Sequence, residues 1–304
     1  MLSIVIPTYG REMVLLDSIG SLLRLLSPGA EELLVMDQTS VHEIGTQNQL
    51  EEWNLNTKIR WNRLPQPSIV NAMNMGLQQA TGDLVLFLDD DIIPSPALVT
   101  EHVKAHALHP EAWAVAGQIL QPGEEPAQVK NPTPSLKHRL TESLKHRFNS
   151  TQPGYTLNVM AGNLSVKRAK ALEIGGFDPN YIGVAYRFES DFARRIWAAG
   201  GNVWYEPKAS IRHLRAPSGG TRAYGHHLTS ASPMHGVGDY YFALRHGQGL
   251  EKWWYIARRP LREVRTKFHL QHPWYIPIKL LGELRAMLLA FKLVQQHPKS
   301  PKIA

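Results

Sequence analysis

Between residues 3 and 120 the chain alternates short apolar runs with segments of helical spacing, and this alternation constrains the fold more than any other feature. Ser3–Pro7, Glu32–Met36, Lys58–Leu64, Leu84–Leu88 and Trp113–Leu120 read as strands. Met13–Leu26, His42–Trp53, Ile69–Ala80 and Ser95–Leu108 read as the helices between them. Parallel strands need crossover connections, usually helices, so the pattern predicts an α/β fold with a mostly parallel central sheet and flanking helices. Ligands of such sheets bind beyond the carboxyl ends of the strands. Three polar clusters fall at such ends: Pro7-Thr8-Tyr9, Asp37 and Asp89-Asp90-Asp91. Further on, Gln121–Gly154 reads as a long loop with a short helix at Leu136–Phe148. Tyr155–Lys167 is predicted to be a strand pair, Phe188–Ala199 a helix, and Val203–Tyr205 and Ala209–His213 two short strands.

The acidic run closes the apolar stretch Leu84–Leu88. Three carboxylates at the end of a buried strand are costly unless something neutralises them. A divalent cation does so, and magnesium and manganese favour carboxylate and phosphate oxygens. The alternative is a solvated acidic turn in which Asp91 caps a helix.

Hydrophobic residues at 43% and charged residues at 19% predict a packed globular core rather than disorder. There is no cysteine, which excludes disulfides and thiolate metal sites. The N-terminus has neither a basic region nor a cleavage motif and reads as a strand. Charge is unevenly placed: residues 1–215 carry a net −2 and residues 216–304 a net +9. Such a basic segment can meet nucleic acid, an anionic membrane or an anionic substrate. No helix-turn-helix, zinc-finger or aromatic RNA-binding pattern is present, so nucleic acid is not an expected partner. Neither a Gly-x-Gly-x-x-Gly turn nor a Gly-Lys-Ser/Thr loop follows a strand, which argues against dehydrogenase and ATPase readings.

Eight motifs follow one another along the chain: Ile4-Val-Ile-Pro-Thr-Tyr9 with Arg11, Leu34-Val-Met-Asp37-Gln-Thr-Ser40, Asn71-Ala-Met-Asn74-Met-Gly76, Gly82 to Asp91, Ala161-Gly-Asn163, Gly175-Gly-Phe-Asp178, Glu189-Ser-Asp191 with Arg195, and His213 leading to Ser218-Gly-Gly-Thr-Arg222. Taken in this order, they resemble the motifs of the family 2 glycosyltransferases. The resemblance covers about two thirds of the chain, Ser3 to Arg222. It implies a GT-A, Rossmann-like domain over residues 1–222 and a basic, aromatic helical extension over 223–304. It also implies inverting transfer from a nucleotide-diphosphate sugar, assisted by Mg²⁺ or Mn²⁺, to a glycan or lipid-linked acceptor in polysaccharide or glycolipid synthesis.

The same resemblance assigns roles. Pro7, Thr8, Tyr9 and Arg11 would line the nucleotide pocket, Asp37 would bond the nucleobase or ribose, and Asn74 would face the nucleotide. Asp89 and Asp91 match the outer positions of an Asp-x-Asp motif, with Asp91 and His213 as metal ligands. Asp90, counted with the donor-binding residues, would point away from the other two toward a backbone amide, and Arg222 would lie near the diphosphate. Inversion needs a carboxylate to take the acceptor's proton. Aligning on Arg195 puts Glu189 where the family's catalytic Asp usually stands, with Phe188 in place of the preceding Glu; another registry makes Asp191 the base. Because of that departure, a catalytically inactive sugar-nucleotide-binding scaffold is the rival reading. A sugar nucleotidyltransferase fits less well, since Pro7–Arg11 is not a Gly-rich basic loop.

In the C-terminal segment, Trp253-Trp254-Tyr255 precedes Arg258, Arg259, Arg262, Arg265 and Lys267. Trp274–Val294 is apolar, but four charged residues interrupt it, against a membrane-spanning helix. Ile278, Leu281, Leu284, Leu288 and Phe291 share one helical face. Two readings stand: a helix lying on an anionic membrane surface, or one packing on the catalytic domain or a second subunit. The expected location is cytoplasmic, with peripheral contact to the inner face of the plasma membrane in the first case.

Overall fold

The computed structural model describes residues 1–26, 31–132, 134, 140 and 146–296, except the side chains of Glu31, Thr221 and Arg222. The chain runs β1 (Leu2–Thr8), α1 (Met13–Leu23), β2 (Glu31–Asp37), α2 (Ile44–Leu55), β3 (Arg60–Arg63), α3 (Ile69–Gln79) and β4 (Leu84–Leu88). It continues through β5 (Ile92–Pro94), α4 (Leu98–Leu108), β6 (Ala112–Leu120), β7 (Gly154–Tyr155), β8 (Asn163–Lys167), α5 (Arg168–Glu173), α6 (Phe188–Ala198) and β9 (Asn202–His213). Four helices end it: α7 (Val237–His246), α8 (Gly249–Val264), α9 (Lys267–Gln271) and α10 (Tyr275–Gln296).

The strands form one sheet in the order β3-β2-β1-β4-β8-β6-β9-β5, with β7 also paired to β9. β3, β2, β1 and β4 are mutually parallel, β6 and β9 are parallel, and β8 runs antiparallel between β4 and β6. Successive side chains of a strand point to opposite faces, and each face here is covered. Ile4, Ile6, Leu33, Val35, Leu86 and Leu88 join one core with α1, α2 and α4. Val5, Leu34, Met36, Val85 and Phe87 join the other, with α3, α6, α7 and part of α10. The helices seat closely: a Cβ at Gly76 of α3 would lie 2.3 Å from Val5 Cγ1 of β1.

Two expectations are corrected. The segment Tyr155–Lys167 is not a strand pair, because β7 pairs with β9 while β8 is drawn between β4 and β6. The two short strands before His213 are one, β9, with its register shifted between the pairs Gly117–Glu206 and Gln118–Ser210. The extra residues around Pro207 are accommodated as an irregularity, since proline cannot donate to a ladder. The short helix expected at Leu136–Phe148 falls largely outside the described residues, and Phe148 itself stands in a turn.

Candidate active site

The carboxyl ends of β1 and β4 lie side by side because their strands are parallel neighbours. β5 then turns back antiparallel to β9, pairing Ile92 with His213. That register carries the end of β9 to the acidic run, and Leu214 N donates to Asp91 O at 2.7 Å. The result is a cavity of about 300 Å³. Pro7, Thr8, Tyr9, Arg11, Asp89, Asp90, Asp91 and His213 all line it. Gln38, Pro67, Ser68, Ile69, Gly183, Gly220 and Tyr224 complete the wall.

His213 Nε2 lies 3.0 Å from Asp91 Oδ1 and 3.7 Å from Asp89 Oδ2. One ligand atom from each of these three residues falls within 4.8 Å of the others. Two carboxylates and an imidazole at that spacing fit a divalent cation. Gln121 Oε1 is 3.0 Å from His213 Nδ1, so the far ring nitrogen is held and Nε2 is left toward the carboxylates. Asp91 is buried, which raises its pKa. The hydrogen bond and charge of His213, the Ala216 amide and Arg11 outweigh that and hold it below the ordinary carboxylate range.

Asp90 is fixed rather than free. Thr8 Oγ1 donates to its Oδ2 at 2.7 Å and Arg11 Nε to its Oδ1 at 3.1 Å. Burial pushes its pKa up to about 6 against the pull of Arg11 and Thr8. The Arg11 guanidinium also reaches Asp91 and the carbonyls of Ala216 and Ser218. Gly220 N donates to Tyr9 O at 2.7 Å. A Cβ at Gly219, whose φ is +77°, would lie 2.3 Å from Gly10 O. The Ser218-Gly-Gly loop is thus tied down onto the Tyr9–Arg11 loop. Arg222 follows in a 3₁₀ turn, Gly220–Tyr224, and its side chain lies outside the described residues.

The two candidate bases differ sharply. Glu189 stands in the first turn of α6 and its Oε1 accepts from Ala161 N at 2.7 Å. A Cβ on the next residue, Gly162, would lie 2.1 Å from Asp89 Oδ2, so this turn touches Asp89 and Glu189 together. Burial, reinforced by the Asp89 charge and opposed by the Ala161 amide, raises the Glu189 pKa to about 7. Asp191 is wholly buried and bonded to Arg195 Nε and His246 Nε2, each at 2.7 Å. Burial favours its neutral form, but Arg195 and His246 prevail and hold its pKa far below the ordinary value. Neither Asp191 nor Glu189 is among the residues that line the cavity.

Asp37 and Asn74 do not line this cavity. Asp37 is fully buried, with Oδ1 accepting from Thr39 N at 2.8 Å and Oδ2 lying 2.8 Å from His42 Nε2 and 2.9 Å from Trp61 Nε1. Its neighbour Gln38 reaches the cavity instead, bonding the carbonyls of Gln66 and Ser68. Asn74 clips the backbone of Phe177 with both amide atoms and borders a second cavity of about 410 Å³, which meets the first at Gln38. Ser68 and Tyr224 were not singled out from sequence, and Gln38 stood there only as part of the motif that follows Asp37, with no role assigned.

The model of glycosyl transferase family 2 matches residues 3–173, more than half of the chain. The chain belongs to this family. The family 2 protein is 32% identical over 143 residues to the validoxylamine A glucosyltransferase of Streptomyces hygroscopicus subsp. limoneus, a match over 47% of this chain and 30% of that protein. The chain spans less than a third of the length of the curated relatives it matches. Among solved structures it is similar to the mannosyltransferase PcManGT from Pyrobaculum calidifontis in complex with GDP-Man and Mn²⁺. That likeness has a TM-score of 0.54 at 18% identity and covers 98% of this chain and 79% of the other. It is also similar to GalNAc-T7 with UDP, GalNAc and Mn²⁺, with a TM-score of 0.64 at 15% identity, over 99% of this chain and 59% of the other. At these identities the likeness shows the GT-A fold, and that fold is the one described above.

Proposed function

We propose that the protein transfers a sugar from a nucleotide-diphosphate sugar to an acceptor hydroxyl with inversion. The observation that carries this reading is the joining of two chemistries through one turn. Ala161-Gly162 touches Glu189, a carboxyl with a pKa of about 7, and Asp89, one of three residues spaced to hold a cation. Asp89, Asp91 and His213 would hold Mn²⁺ or Mg²⁺; when bound, the cation screens the charge that builds on a departing diphosphate. The GDP-Man and UDP complexes of the two structural neighbours, both with Mn²⁺, support the donor class.

Glu189 acts as the base. Its carboxylate takes the acceptor hydroxyl's proton as that oxygen bonds to the anomeric carbon and the bond from carbon to the diphosphate oxygen breaks. A base near neutrality is well matched to the task, whereas Asp191 is wholly buried and locked by Arg195 and His246. Thr8 and Arg11 keep Asp90 in place so that Asp89 and Asp91 flank it in fixed positions. The acceptor belongs to a glycan or glycolipid pathway in this reading.

The test is calorimetric binding of a panel of nucleoside diphosphates and nucleotide sugars, with and without Mn²⁺, to the wild type and Asp91→Ala. Metal-dependent binding of one donor, lost in the variant, is the expected result and names the nucleotide. Absence of binding by every donor under both conditions would overturn the reading and favour a scaffold.

A further inference from the structure

The three terminal helices present an apolar face that no other element covers among the described residues. On α8, Leu250, Trp254 and Leu261 are 87%, 63% and 55% exposed. With Ala257 they recur at spacings of four, three and four, so they form one stripe along the helix. On α10, Leu281, Leu284 and Leu288 repeat the pattern and are exposed as well. The Trp253 ring stacks on Phe291, centroids 6.2 Å apart, and so joins the two stripes at one end. Leu270 and Trp274 extend the exposed apolar surface at α9 and the start of α10.

The exposed charges bordering this face are mostly basic. Arg258 on α8, Arg265 just after it, Lys267 on α9, and Arg285 and Lys292 on α10 are exposed, and Arg258 lies over the Trp254 ring at 5.0 Å. Of the acids on these three helices, Glu283 is buried, Glu263 is part-buried against Lys279 and Arg262, and Glu251 alone is exposed. A two-fold contact between copies would bring two copies of the same cationic rim into one interface. A protein partner would need a matching acidic rim around an apolar centre. An anionic bilayer meets both demands at once: acyl chains for the leucines, the interfacial zone for the tryptophans and phosphates for the arginines. No helix among the described residues is long and apolar enough to cross a membrane, so the contact is one of lying on the surface.

We propose that the α8–α10 face docks this protein onto an anionic lipid surface. The docked face is linked to the cavity by the segment after Tyr224. Tyr224 lines the cavity, and its carbonyl lies 3.1 Å from His235 Nε2. Leu228 O lies 3.0 Å from His269 Nε2 of α9. The docking does not depend on the transfer reading, although a lipid-borne acceptor would suit both.

Co-sedimentation of the full chain with vesicles tests it. The wild type is expected to pellet with phosphatidylglycerol-containing vesicles, not with pure phosphatidylcholine, and to release as salt is raised. Arg258→Glu and Arg265→Glu should each weaken binding about five-fold or more, since one basic residue near such a surface contributes about that factor. Trp254→Glu, at an exposed position, should abolish pelleting while the circular dichroism spectrum and nucleotide binding stay unchanged. Equal binding to neutral and anionic vesicles, or none to either, overturns the proposal. A dimer in solution that Trp254→Glu dissolves, without vesicle binding, would assign the face to a second copy.

Discussion

Glu189 and Asp191 stand two positions apart on one helix, yet their surroundings drive them in opposite directions. Glu189 meets a single amide donor and a neighbouring carboxylate, and its pKa rises to about 7. Asp191 meets a guanidinium and an imidazole, and its pKa falls. The active form of a base is the deprotonated one, so transfer should rise with pH through about 7 and level off above it. Glu189→Gln should remove that limb and cut kcat by about 10²- to 10⁴-fold while donor binding, measured by calorimetry, survives. Unchanged turnover would exclude Glu189 as the base. Asp191→Asn is a different experiment. Breaking a buried ion pair typically costs about 3–5 kcal/mol, so a loss of that order should appear in denaturant unfolding. A depressed folded-state pKa places that stabilisation above the ordinary Asp value of about 4, and it should fade as pH falls below that. The acidic run was legible in the sequence because it ends an apolar strand. The inward turn of Asp37 was not, because its partners His42 and Trp61 come from other parts of the chain.

At the scale of elements, α6 owes its position to α7. The turn before it, Ala185–Arg187, holds two non-glycine residues at positive φ, 53° and 78°. Such conformations persist only when their surroundings impose them. Here Arg187 is buried, 3.4 Å from Asp239 of α7 and with its guanidinium 4.1 Å over the Phe242 ring. Gly238 brings the start of α7 so near that a Cβ there would lie 2.2 Å from Tyr186 O. Gly238→Ala must therefore push α7 off the turn that leads to Glu189. We expect a loss of about 1–3 kcal/mol in stability and a fall in kcat with little change in donor affinity, because about half of the donor cavity's wall comes from the ends of β1, β4 and β9, away from α7. A fall in donor affinity equal to that in kcat would show a general collapse instead. Helices such as α1 and α3 were legible from their own spacing, within a few residues of the observed ends. The partners of β7 and β8 were not, because strand pairing is chosen by the topology of the whole sheet and not by either strand.

For the molecule as a whole, the charge asymmetry of the sequence conceals how deeply the basic segment enters the core. Tyr240, Tyr241 and Phe242 of α7 are fully buried, and Ile256, Ala286 and Ala290 join the same cluster as Phe87 of the sheet and Phe192 of α6. Burying one large apolar side chain is worth about 1.5–3 kcal/mol, against a typical total stability of about 5–15 kcal/mol. The same helices supply His246 to Asp191 and Asp239 to Arg187, so their removal would leave buried charges without those partners. A chain ending at Gly236 should therefore lack a cooperative thermal transition, whereas the full chain should melt in one. Circular dichroism melts of the two proteins decide the matter. If the shortened chain melts cooperatively at the same temperature, the sheet and its first six helices are self-sufficient, and the clamp on α6 is dispensable for folding. Retained donor binding in that shortened chain, with transfer lost, would then place the contribution of the C-terminal helices in setting the base alone.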